Sequence, residues 1–159
     1  MEYIHSKNVV HRDIKPENFV LGPNGSVIYA IDFGFAKKVP SFDRNARTHF
    51  GFRGTPRYAS IRSHLGVGMF AELVCGFEID RMTEPGRNDD LECIGHMLVY
   101  FLRGKLPWSG LAGGSQSQYR RLVLEKKKSI SLEHLCEGLP RMCAVCFASD
   151  KHVVTDVFS

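Results

Sequence analysis

Two short polar stretches constrain the fold of this chain more than anything else in it. The first is His11-Arg12-Asp13-Ile14-Lys15-Pro16-Glu17-Asn18, which sets a carboxylate, an ammonium and a carboxamide within six residues, between two apolar runs. The second, Asp32-Phe33-Gly34, begins fourteen residues after Asn18. Between them lie Phe19-Val20-Leu21, then Gly22-Pro23-Asn24-Gly25, then Val27 to Ile31. That is the pattern of a β-hairpin, two apolar arms around turn residues that accept tight or positive-φ geometry. A hairpin brings its ends together, so Asn18 and Asp32 are expected to face one point.

Around the hairpin the periodicity is helical. Residues 1 to 10 read as the end of a helix running into an apolar strand-like step at Val9-Val10. Asp89-Asp90-Leu91-Glu92 opens the clearest helix, with acidic residues in the first turn where the helix dipole favours them. In it Ile94, Met97, Leu98, Phe101 and Leu102 recur at helical spacing, and the core is expected around Ile94 to Leu102. Gly104 and Pro107 end that helix. Tyr119 to Lys127 reads as a short helix with Lys126 to Lys128 as a solvated face, and Leu132 to Leu139 as another. Lys37 to Arg53 reads as a polar loop that closes on Gly54-Thr55-Pro56-Arg57-Tyr58-Ala59-Ser60-Ile61. The expected fold class is mainly α with short β-hairpins.

Charge and composition narrow the partners. The net charge of +4 suits anionic partners. No Lys/Arg stripe with interleaved aromatics is present, so no nucleic-acid partner is expected. The longest apolar run, Met97 to Leu102, is far too short to span a bilayer, and no membrane partner is expected. There is no secretory signal, and five cysteines form no disulfide framework, which points to a reduced cytoplasmic or nuclear protein. Cys143-x-x-Cys146, with Cys136 and His152, has irregular spacing for zinc.

The motifs carry a family resemblance. His11 to Asn18 has the form H-R-D-x-K-x-x-N and resembles the catalytic loop of protein kinases, and Asp32-Phe33-Gly34 resembles their second landmark. The match is closer to one branch. Lys15-Pro16-Glu17-Asn18-Phe19, Asp32-Phe33-Gly34-Phe35-Ala36-Lys37-Lys38 and Gly54 to Ile61 are similar to the KPxNF, DFGLAKK and GTxRYASI segments of the casein kinase I family. Further similarity runs through His64-Leu65-Gly66, Asp89 to Glu92 and Tyr100 to Trp108. The resemblance covers roughly residues 1–67 and 87–140.

What it implies is the C-terminal lobe of an ATP- and magnesium-dependent Ser/Thr kinase acting on acidic or already phosphorylated proteins, monomeric when complete. By that resemblance Asp13 is the catalytic base, and Lys15 supports the transferring phosphoryl group. Lys15, Asn18 and Asp32 serve the nucleotide, and Asn18 and Asp32 the metal. His11, Arg12, Phe33, Gly34, Thr55 and Asp90 support the site: His11 and Phe33 by packing, Thr55 by approaching the catalytic aspartate, Asp90 by bonding the catalytic-loop backbone. Arg57 binds an anion on the substrate.

The chain departs from the family in four places. It shows no Gly-rich loop and no Val-Ala-x-Lys lysine, the marks of the N-terminal lobe. Between Gly66 and Asp89 lie 22 residues where the family has about six, which reads as an insertion at about 68–85. Gln118 stands where the family often has a lysine before the tyrosine matching Tyr119. After Pro140 the likeness stops, so residues 1–140 read as a partial kinase domain and 141–159 as a divergent tail. Two alternatives stay open: an inactive kinase fragment serving as a binding module, and an incomplete gene model.

Overall fold

The structure is a computed structural model that describes residues 1–38, 52–65 and 86–147. Most of the expected polar loop (39–51), the insertion at 68–85 and the end of the tail (148–159, with His152) lie outside the described residues, as does Cys75.

The described part is helix-rich with two small sheets. Helix α1 (Glu2–Ser6) runs into strand β1 (Val9–Val10), and a 3-10 turn over Pro16–Asn18 leads into β2 (Phe19–Leu21) and β3 (Ile28–Ala30). Strand β4 (Lys37–Lys38) follows, then α2 (Ile61–His64), α3 (Arg87–Arg103), α4 (Gln116–Lys128), α5 (Leu132–Cys136) and α6 (Arg141–Val145). The hairpin forms as the turn chemistry requires. Phe19 pairs with Ala30, Val20 with Tyr29 and Leu21 with Ile28. The second sheet corrects the sequence reading, in which Lys37 began a loop. Val9 pairs with Lys38 and Val10 with Lys37, antiparallel. Buried Val10 needs partners for its backbone groups, and any passing extended chain can supply them, whatever its side chains.

Helix α3 starts with Asp89 folded back so that its carboxylate accepts the Gly86 N–H at 2.7 Å, and it ends at Gly104. The core is built on it, and part of the expected stripe enters it: Met97 is buried and Ile94 packs against the core, but Phe101 and Leu102 do not. Cys93, Met97 and Val99 pack with Ile14, Tyr58, Leu106, Trp108, Val123 and Leu135. Phe101 and Leu102 are 57% and 53% exposed. The helix is apolar on more than one side, so its largest side chains do not mark its buried face. Small and polar residues do. A Cβ on Gly95 would meet the Phe147 ring at 2.5 Å, so only glycine lets the chain after α6 pack there. Buried His96 donates from Nδ1 to the Tyr58 carbonyl at 2.9 Å.

Helix α4 brings a second correction. Lys126 and Lys128 are exposed, but Lys127 is buried at 3% exposure, on the same face as Val123 and Leu124. Its Nζ donates to the carbonyls of Pro56, at 3.0 Å, and of Ala59. Nearby, His64 Nε2 donates to the Pro56 carbonyl at 3.0 Å. Burial is the chief cause that lowers His64 to about 3 and Lys127 to about 7.

Both groups are harder to protonate folded than unfolded, so the unfolded chain binds the extra protons. Stability therefore rises with pH from about 3 to 6.5 through His64 and from about 7 to 10.5 through Lys127. Each contributes at most about 1.4 kcal/mol per pH unit. Urea midpoints taken between pH 4 and 9.5 are expected to climb across both windows. Lys127→Met should flatten the upper climb and, because the Lys127 charge helps lower His64, weaken the lower one; an upper climb of unchanged slope in that variant would show another group to be responsible.

Candidate active site

The site is assembled at the mouth of the hairpin. Between β1 and the 3-10 turn the chain has no ladder to bond its backbone, and a buried carboxylate from α3 does it instead. Asp90, 1% exposed, accepts the His11 N–H at 2.8 Å on Oδ2 and the Arg12 N–H at 2.9 Å on Oδ1. His5 donates to the same Oδ2 from Nε2 at 2.9 Å. Arg12 sits at φ 67°, in the left-handed region where a side chain is strained, and Asp90 bonds its N–H. The Arg12 Nε donates to the Phe35 carbonyl at 2.6 Å, tying this loop to the stretch after Asp32.

Asp13 follows, buried at 3% exposure. Three side chains converge on its carboxylate. Thr55 Oγ1 donates to Oδ1 at 2.9 Å. Lys15 Nζ lies 2.8 Å from Oδ2, and this bond is the main reason its pKa is raised. Asn18 Nδ2 donates to the Asp13 carbonyl at 2.8 Å and approaches Oδ2 at 3.4 Å. With its amide nitrogen so engaged, the oxygen of Asn18 is the end that a cation would take. Thr55 reaches Asp13 because Gly54 lets the chain pass close. Gly54 has φ 97°, and a Cβ there would lie 2.8 Å from the Arg12 carbonyl oxygen.

Asp32 arrives from the other arm. The Ile31 N–H donates to the Asn18 carbonyl at 2.9 Å, so the hairpin closes immediately before Asp32. Asp32 has φ 58°, and its Oδ1 accepts the Gly34 N–H at 3.2 Å. It is exposed, and its charge helps raise Lys15. Asp32 thus belongs to the group through the field at Lys15, whereas Asp13, Lys15, Asn18 and Thr55 touch. His11 and Phe33 stack with ring centroids 5.0 Å apart. His11 Nε2 donates to the Ile31 carbonyl at 3.0 Å, a second tie between the two motifs. Arg57 is not drawn into this group. It is exposed, and its side chain hydrogen-bonds that of Tyr58, the main cause of its raised pKa.

Sequence reasoning missed two supports. Asp89 accepts Ser60 Oγ at 2.6 Å and takes Arg62 from both Nε and Nη2. Glu92 accepts the Ile61 N–H at 2.8 Å. The N-terminal end of α3 therefore binds two separate segments, Asp90 the loop at 11–12 and Asp89 with Glu92 the residues at 60–62. The cluster of three acids in four residues is the available signal: a helix dipole needs fewer.

Among the described residues no group of three or more His, Cys, Asp or Glu side chains is placed to hold a metal ion. A pair made of Asp32 and Asn18 falls outside that description; a carboxylate and an amide oxygen are donors of the kind magnesium accepts. No described helix is long and apolar enough to cross a membrane. A family model described as a protein kinase domain matches residues 1–150.

Proposed function

This chain belongs to the protein kinase family, and from that membership we propose a finer reading. It is the C-terminal lobe of a casein kinase I type enzyme that moves the γ-phosphate of ATP to Ser or Thr of acidic or already phosphorylated proteins. The observation that carries this reading is the convergence of Lys15, Asn18 and Thr55 on the buried Asp13 carboxylate. Exposed Leu21, Ile28 and Tyr29 on the hairpin and Phe33 and Phe35 beyond it give an apolar surface suited to an upstream lobe.

In this reading Asp13 accepts the hydrogen of the substrate hydroxyl and aims its oxygen, so an acceptor fixed in place matters more than a strong base. Thr55 and Asn18 hold the carboxylate from two sides. Lys15 carries its positive charge to the edge of the site, where negative charge builds up during transfer. Asn18 and Asp32 would hold the metal. Magnesium-bound ATP supplies the phosphoryl group and offsets its charge. Arg57 lies on the outer surface, where it would meet an acidic substrate. Gln118, which stands where the family often has a lysine, is neutral and accepts the Gly114 N–H at 2.8 Å.

The test is transfer of labelled phosphate from ATP to an acidic protein by the full kinase, followed by phosphoamino-acid analysis. Phosphoserine and phosphothreonine are expected; phosphotyrosine as the main product would overturn the Ser/Thr assignment. In the same assay Thr55→Val, which removes one hydrogen bond to a charged group, is expected to lower kcat about tenfold. Thr55→Ser should retain most of the rate.

A further inference from the structure

We infer that Lys127 is a positioning residue for phosphoryl transfer, acting through Thr55; this deepens, and rests on, the reading of Asp13 as the group that receives the substrate proton. Residues 56–59 are neighbours in sequence, and side chains from other elements bond each of their carbonyls. Lys127 and His64 donate to Pro56, Trp108 Nε1 to Arg57 at 2.7 Å, His96 to Tyr58, and Lys127 again to Ala59. Buried carbonyls outside regular structure must find donors. Here the donors come from α2, α3, the loop after α3 and α4.

Lys127 differs from the other donors in bonding both ends of the run. It clamps a turn that already closes on Thr55, whose carbonyl accepts the N–H groups of Tyr58 at 3.0 Å and Ala59 at 2.9 Å. A shift of Thr55 away from Asp13 would have to open this turn or break the clamp. The ammonium lies 4.9 Å from the centroid of the Trp108 ring, which replaces part of its lost hydration. A buried cation among neutral acceptors carries a desolvation cost that leucine or methionine would avoid. What an apolar side chain cannot do is bond the two carbonyls. His64 Nε2 bears the proton that it gives to Pro56, so its 3.4 Å approach to Lys127 sets two donors side by side, and both serve the same carbonyl.

The experiment is a double-variant cycle in the full kinase, reading kcat, the KM for ATP and amide hydrogen exchange. Lys127→Met is expected to lower kcat about tenfold, the cost of one charge-assisted hydrogen bond, and to leave the KM for ATP within about twofold. Protection of the Tyr58 and Ala59 amides should fall with it. The Lys127→Met, Thr55→Val double variant should be no slower than Thr55→Val alone, and Lys127→Arg should recover part of the rate. Should Lys127→Met fail to fold, Trp108→Phe, which removes the donor to Arg57 and shrinks the ring beside the Lys127 ammonium, goes through the same cycle with the same expectation. Unchanged protection of Tyr58 and Ala59 in a folded Lys127→Met variant overturns the clamp. Lost protection with rate losses that multiply overturns its action through Thr55. Full activity of Asp13→Asn overturns the reading of Asp13 instead, and the exchange data register that outcome separately.

Discussion

Asp13→Asn is expected to lower kcat by about 10²–10⁴, the range by which positioned proton acceptors contribute, with the KM for ATP nearly unchanged. Asparagine keeps the size of the side chain and one acceptor oxygen, and that oxygen can go on receiving the Thr55 hydroxyl. The other position becomes an amide NH2 facing Lys15 at what is now a 2.8 Å contact. Two donors cannot share that contact, so Lys15 is released from Asp13. The variant therefore loses the acceptor for the substrate proton and gains no compensating bond. ATP binding should survive, since by the proposed arrangement Asn18 and Asp32 hold the metal. Initial rates over a range of ATP and protein substrate separate the two quantities. A variant with wild-type kcat would remove Asp13 from the chemistry, and a large rise in the ATP KM alone would reassign it to nucleotide binding.

The parts legible from sequence are those in which a few adjacent residues set the geometry. The hairpin from Phe19 to Ala30 was readable from its turn residues, and its closure before Asp32 follows from antiparallel pairing. Asp90 and Thr55 were reached by resemblance, and their bonds to the 11–12 backbone and to Asp13 are present. What was not legible depends on distant packing. Phe101 and Leu102 have the spacing of core residues yet are exposed, because Cys93, Gly95 and His96 form the packed side of α3. Lys127 reads as one more charge in a run of three. Its position three and four residues after Leu124 and Val123 placed it on their buried face. Side-chain type argues against that periodicity, because a buried lysine is rare unless its ammonium has acceptors. The acceptors, at Pro56 and Ala59, are some seventy residues away in sequence and invisible to any local pattern. Strand β4 was missed for a related reason: its pairing with β1 is a backbone matter, and two lysines carry no sign of it.

Asp90→Ala is expected to cost about 3–5 kcal/mol of folding stability, the range for breaking a buried charged network by removing one member. Set against a typical total of about 5–15 kcal/mol, that is a large fraction. The carboxylate accepts two backbone N–H groups and the His5 ring, and alanine leaves all three donors without it. The His11 ring is fully buried, so water cannot simply replace the lost acceptor there. A second cost follows at Arg12, whose φ of 67° is unfavourable for an L residue and loses the bond that sustains it. Asp90→Asn should fall between wild type and alanine. Its one remaining acceptor oxygen can serve the His11 N–H or the Arg12 N–H, and its NH2 would oppose the other. Denaturant unfolding of the three proteins should give the order wild type, Asn, Ala. Activity should fall further than the folded fraction does, because the 11–12 backbone carries Asp13 directly. Equal stability of wild type and Asp90→Ala would mean that the loop is held by its own local bonds and that the α3 carboxylate is incidental.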